Sequence, residues 1–367
     1  MKLSHWISRP GRRLTSFGLL ASLVSSGCTS TIAVADPVSQ PAANPDCGKI
    51  TAPLTTEEKG HAQVAWQYFV NNRQPTTGLV NAADSYPSGT LWDQGNYLTA
   101  LNAALWLGLI DQTQFDQQLT QFLSGLANLP LFEDTLPHKV YNSATGQMVD
   151  YRNTPTHRGM GWSALDIGRM LAALHIIRTC HPQYVPSIEA AVSTWNLEAS
   201  VQQGQLYGAM VLPNDTTRRV QEGRLGYEEY AARGYELWGY HLPKALALEP
   251  MATVLVEGVE IPVDSRDFAT TQANNYVVSE SYILEAIEFG LSETLESYAQ
   301  QLLEAQKRRF ERTGELTAVS EDNVDQAPHF LYNTVHANGE DWAVITDQNQ
   351  PYPELRTLST KAAFGWR

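Results

Sequence analysis

Cysteine is scarce, with three in 367 residues. No two of them stand at CxxC spacing, which argues against a thiolate metal site. Positive charge is also short: 25 Lys and Arg face 39 Asp and Glu, a net charge of −14. A body this acidic is repelled by phosphate backbones and anionic lipid. With no basic stripe to offset it, nucleic acid is not an expected partner. Beyond the N-terminus no apolar run approaches the roughly 18–20 residues that span a bilayer. The chain also lacks a Walker A loop, a Rossmann glycine fingerprint, an HExxH pair and a GxSxG elbow. Its histidines are dispersed, and only His329 and His336 come near a metal-ligand pair. No metal or cofactor is expected.

What remains is ordinary globular material: 43% hydrophobic residues, 17% charged and nine Trp. That composition excludes disorder and collagen-like classes. Residues 1–35 follow the secretory plan, with Lys2, Arg9, Arg12 and Arg13, an apolar run over 17–24 and then small residues. Removing them would leave the chain more acidic. Cleavage after Ala33-Val34-Ala35 competes with a lipobox reading of Ser26-Gly27-Cys28, in which a lipidated Cys28 would anchor the protein to a membrane. The expected location is outside the cytoplasm: periplasmic, extracellular or lipid-anchored to the envelope. Cys47 and Cys180 then form an even pair, free either to make one disulfide or to stay as separate thiols. Residues 36–50, rich in Pro and Ala, read as a tether, and 51–367 as a single domain.

Thr55-Thr56-Glu57-Glu58 is a capping box opening a helix that reaches about Asn72. Helical periodicity recurs at 91–108, 113–127, 160–180, 186–198, 226–239, 274–289 and 292–313, with a further start at 357–366. Hairpin signals fall at 138–152 and 254–263. Several helices open with an aromatic or polar cluster and then turn apolar, at intervals of roughly 50–80 residues without a strict repeat. Apolar inner helices alternating with amphipathic outer ones predict an all-α architecture, an α/α toroid with minor β-hairpin decoration. Residues 358–366 look like the opening of another inner helix, so the chain is expected to be a truncated version of a longer one.

These residues resemble the bacterial DUF3131 proteins, relatives of the glucoamylase-like, six-hairpin glycosidases. The matching stretches are 88–101 (SGTLWDQGNYLTAL), 131–141 (LFEDTLPHKVY), 158–169 (RGMGWSALDIGR), 222–239 (EGRLGYEEYAARGYELWG), 264–286, 321–332 (EDNVDQAPHFLY) and 359–366 (STKAAFGW). The resemblance implies an exported α/α toroid from bacteria that process polysaccharide. It also implies chain beyond the last segment, and it assigns no catalytic residues.

Glycoside hydrolysis requires two carboxyl groups flanking the scissile bond, one of them protonated. Glu222 sits in a loop between Gln221 and Gly223, where binding residues concentrate; a loop salt bridge is the bland alternative. Glu228 and Glu229 open the following helix, where the dipole alone favours acid. Of the two, Glu229 is the candidate. Asp93 beside Trp92 and Gln94 is either a cap or a second carboxyl in a sugar site with a flat apolar face. The expected roles are Glu222 or Glu229 as general acid and Asp93 as base. Trp92, Gln94, Arg158, Trp162, Tyr227, Asn275, Glu280 and Asp322 are the expected substrate contacts. Tyr97, Tyr230, Tyr276 and Trp342 complete an aromatic set in which any single member is more often core. The leading reading is an exported glycoside hydrolase acting on a β-glucan or exopolysaccharide. The alternatives are a non-catalytic glycan-binding scaffold lipoprotein of an export system, and a lyase, disfavoured by scarce basic clustering.

Overall fold

A computed structural model describes residues 47–50, 52–248 and 251–367. The expected export signal, the candidate lipidation site Cys28 and most of the expected tether lie outside these residues. Ten helices are described: α1 (Thr56–Asn72), α2 (Leu91–Trp106), α3 (Gln112–Ala127), α4 (Ala164–Cys180), α5 (Val185–Val192), α6 (Tyr227–Glu236), α7 (Phe268–Thr271), α8 (Glu280–Glu288), α9 (Glu293–Thr313) and α10 (Thr360–Gly365). None is long and apolar enough to cross a membrane.

Even-numbered helices form the inner layer, with α2 on α4, α4 on α6, α6 on α8 and α8 on α10. Helix α4 shows why: twelve of its residues, Leu165, Met170 and Leu174 among them, are buried around its circumference, which only an enclosed helix tolerates. Helix α9 instead buries Leu295, Ala299, Leu302, Ala305 and Gln306 along one stripe and stands outside. The closest inner contact, α4 on α6, depends on two glycines. A Cβ at Gly234 would lie 2.1 Å from the Gly168 carbonyl oxygen. In the ring interior Arg169 of α4 bonds Asn96 of α2 (3.0 Å), the Tyr230 hydroxyl of α6 and Glu288 of α8 (2.5 Å). One guanidinium thus braces four inner helices. A buried charge demands such partners, and the mouth of the ring is left to other residues.

The capping box closes at Thr55 and Glu58 as the sequence predicts. Helix α2 starts at Leu91 as its periodicity predicts, whereas α4 and α8 start later. Gly159 and Gly161 take positive φ and Ser163 caps, so α4 begins at Ala164. Residues 274–279 run into α8 as a non-helical approach. The 254–263 signal becomes a hairpin of Met251–Val256 with Val259–Asp264, whereas 138–152 makes only isolated bridges. Two three-stranded sheets went unread: Val201–Gln202, Gln205–Val211 and Thr217–Gln221, then Glu321–Asn323, Phe330–Asn333 and Val344–Ile345.

Cys47 and Cys180 form a disulfide with Cα atoms 5.4 Å apart, fastening the start of the described chain to the end of α4.

Candidate active site

The inner helices deliver their first turns to one mouth of the ring. Thr90 and Asp93 make a closed capping box on α2: one Asp93 oxygen accepts from the Thr90 N–H (2.8 Å) and hydroxyl (2.9 Å). On α4 the Ser163 hydroxyl accepts from the Asp166 N–H at 3.2 Å. That box stays half-closed, since the Asp166 carboxyl does not return to the cap backbone. Burial and the charges of Glu222 and Asp93 push this carboxyl well above the usual aspartate range, against the charge of Lys139 and a hydrogen bond with the Ser163 side chain.

Glu222 follows the strand Thr217–Gln221 and sets its Oε2 on the Ala164 N–H at 2.6 Å, the first amide of α4. Burial raises this carboxyl too. Against that act Lys139, the Ala164 amide, the Ser163 hydroxyl and the Leu165 amide, all favouring its charge, and a helix N-terminus favours an anion as well. The place is made by Gly208, where an added Cβ would stand 2.5 Å from Oε2.

The opposite wall is held by Glu280, first residue of α8. It accepts from Trp92 Nε1 at 3.1 Å and Ser320 Oγ at 3.3 Å, and it pairs with Lys361 of α10. Glu321 accepts from the Tyr227 hydroxyl. Burial, with Glu280 nearby, pushes it up to about 7. Burial works against the charge of Lys361, yet Glu280 and Glu321 hold it above the usual lysine range. Asp322 accepts from Thr357 at 2.6 Å.

Aromatics close the ring of side chains. Trp92 packs on Tyr227 at 5.6 Å, Tyr227 on Tyr276 at 5.6 Å, and Tyr276 stacks on Tyr332 at 4.2 Å and 17°. Tyr151 exposes 62% of its surface, yet burial, Asp166, Asp347 and Glu222 all raise its hydroxyl. Lys361 is likewise half-exposed and hemmed by carboxylates.

Trp92, Asp93, Glu222, Tyr227, Glu280 and Asp322 are thus brought together. Other expected site residues serve the framework. Glu229 accepts from the Gly226 N–H at 2.6 Å and acts on Tyr282 and Tyr298, so it caps α6 on the side away from Asp166. Gln94 is consumed by both backbone groups of Val80. Asn275 donates to the Asp264 carbonyl and accepts from the Asn338 N–H. Arg158 spans Glu133 and Asp215 at an outer rim. Trp162 is buried, with Nε1 on the Tyr207 carbonyl. Asp166, Lys139, Tyr151, Tyr332 and Lys361 went unassigned in the sequence. Only Asp166 carried a signal, the Ser163-x-x-Asp166 spacing.

Burial raises Glu229 to about 8. A folded-state value above the unfolded one means that its stabilising contribution is complete below about pH 4.5 and is lost as pH rises through 8. Wild type should lose up to a few kcal/mol more than Glu229→Gln between pH 4.5 and 8.5, read as a larger fall in Tm. Parallel falls in both proteins would contradict this.

An inner ring of helices with paired outer helices, bearing carboxyls and aromatics at one mouth, places the molecule among the α/α toroids. The profile of the DUF3131 family, described as of unknown function, matches residues 60–367, and the chain belongs to that family. No curated protein matches it. Among solved structures, a presumptive glucoamylase from Bacteroides fragilis is similar at TM-score 0.54 and 12% identity, covering 78% of this chain and 75% of that one. An endo-β-1,2-glucanase from Chitinophaga pinensis, in complex with sophorotriose and glucose, is similar at TM-score 0.52 and 14% identity, with coverages of 78% and 75%. At those identities the likeness is one of fold.

Proposed function

We propose that the protein is an exported glycoside hydrolase acting on a β-glucan or bacterial exopolysaccharide. The observation that carries this reading is the split environment of Asp166 and Glu222. Burial and the charges of Glu222 and Asp93 raise Asp166 well above the usual aspartate range, while burial raises Glu222 against Lys139, the Ser163 hydroxyl and the Ala164 and Leu165 amides. Groups whose surroundings push their protonation apart divide into acid and base. Asp166 donates its proton to the glycosidic oxygen as the C–O bond to the anomeric carbon breaks. Glu222 takes a proton from the water that attacks that carbon, and an inverting course is the expected one. Asp93, with one oxygen fixed on Thr90, supplies charge that keeps Asp166 protonated rather than serving as base. Trp92, Tyr227, Tyr276 and Tyr332 offer flat faces to sugar rings, and Glu280, Glu321 and Lys361 offer hydrogen bonds to hydroxyls. The Cys47–Cys180 disulfide supports an oxidising compartment, in keeping with the secretory pattern of residues 1–35.

The test is incubation with a panel of β-glucans, β-1,2-glucan among them, and exopolysaccharides, followed by mass analysis. Fragments heavier by one water per cleavage support the reading. Ultraviolet-absorbing unsaturated fragments would make it a lyase, and silence with retained glycan binding would make it a scaffold.

A further inference from the structure

A basic groove adjoins the acidic mouth. Its cavity of about 300 Å³ is lined by Arg218, Arg219, Val220, Gln221 and Thr271, along the free edge of the strand Thr217–Gln221, which pairs on its other side with Gln205–Val211. Arg218 is engaged by neutral groups, Gln272 Oε1 at 2.6 Å and Met210 Sδ at 3.3 Å. Arg219 is exposed, its guanidinium carbon 5.9 Å from the centroid of Trp162. Behind them Arg224, 2% exposed, bonds Gln221, the Gly223 carbonyl and Thr271, and its Nε has no partner. The carboxylates nearby, Asp264 and Glu228, are both held by Arg266, at 2.5 and 3.0 Å. Arg218, Arg219 and Arg224 are thus without an ion pair among the described residues, in a chain of net charge −14.

We propose that this groove binds an anionic substituent, a carboxylate or phosphate group, carried by the glycan whose backbone occupies the mouth. The strand that lines the groove runs directly into Glu222, and Arg224 and Glu222 both act on Tyr276 in the aromatic wall. A decorated chain can therefore reach both places at once. Arginine suits the role because its planar fork matches carboxylate and phosphate oxygens, and a groove charged opposite to the rest of the surface selects by sign. This subsite rests on the mouth being a glycan site, but its test does not require turnover.

The experiment is calorimetric binding of three forms of one β-glucan oligosaccharide, neutral, carboxymethylated and phosphorylated, to the wild-type protein and to Arg218→Gln/Arg219→Gln. The wild type should bind at least one anionic form about tenfold or more tightly than the neutral form. That preference should shrink with added salt and fall to near unity in the double variant. Arg218→Lys/Arg219→Lys should keep part of it. The better of the two anions identifies the substituent. Equal affinity for all three forms in the wild type, or an anionic preference that survives Arg218→Gln/Arg219→Gln, would overturn the subsite while leaving the hydrolase reading intact. Failure of every form to bind would overturn both.

Discussion

Asp166→Asn and Glu222→Gln are each expected to lower kcat on the hydrolysed glucan by about 10²–10⁴-fold, the usual worth of a positioned acid or base. KM should change much less, because neither carboxyl is the principal contact for the sugar rings. The two substitutions differ in their structural cost. The Asp166 carboxyl bonds the Ser163 side chain but not the cap backbone, and the asparagine carbonyl oxygen can keep that bond, so α4 is left undisturbed. Glu222 accepts the Ala164 N–H, a bond the glutamine carbonyl oxygen can keep. Unchanged melting with lost turnover is the expected combination, checked by thermal denaturation beside the kinetics. Asp93→Asn should cost less, since the bond to Thr90 survives, while loss of its charge lowers Asp166 and brings down the alkaline limb of activity. Full turnover in either Asp166→Asn or Glu222→Gln would remove that residue from the mechanism.

The second large effect is on stability. The Cys47–Cys180 bond closes a loop across 133 residues of sequence. A cross-link over so long a loop lowers the entropy of the unfolded chain enough to contribute about 4–5 kcal/mol. For a domain of this size that corresponds to a Tm difference on the order of 10 °C. Cys47→Ser/Cys180→Ser should therefore melt well below wild type under oxidising conditions, and reduction should bring wild type down to the same temperature. The bond ties the chain at residue 47 to the C-terminal end of α4, distant in sequence from Ser163 and Asp166 at its start, so residual activity below the new Tm should be close to normal. No change in Tm on reduction would contradict the account.

The sequence was most informative where local chemistry decides the outcome. The Thr55–Glu58 box, the α4 apolar run and the turn at Glu257-Gly258 each follow from neighbours within a few residues. Glu222, a carboxyl in a glycine-bearing loop, stands on the first amide of α4. Asp93 and Asp166 show where such reading stops. Both stand three residues after a Ser or Thr cap, and both spacings suit a capping box. Only the fold shows that Thr90–Asp93 closes the box while Asp166 leaves it open toward Glu222. Gln94, Asn275 and Glu229 mislead in the opposite sense, since their polar groups are spent on backbone partners distant in sequence or hidden in a cap. Tyr151, Tyr332, Lys139 and Lys361 carry no local signal, because loops and strands far apart in the chain bring them to one cavity. The missed strands have the same cause: Thr217–Gln221 is charged and short, and it is a strand because Gln205–Val211 pairs with it.

The most direct test of the central claim is the pH dependence of kcat/KM for wild type and Lys139→Met. An acid and a base of unequal protonation give a bell, with the acidic limb set by Glu222 and the alkaline limb by Asp166. The positive charge of Lys139 lowers both groups, so its removal should move both limbs to higher pH. A profile with a single limb, or a bell that Lys139→Met leaves in place, would show that Asp166 and Glu222 are not the pair that divides the proton.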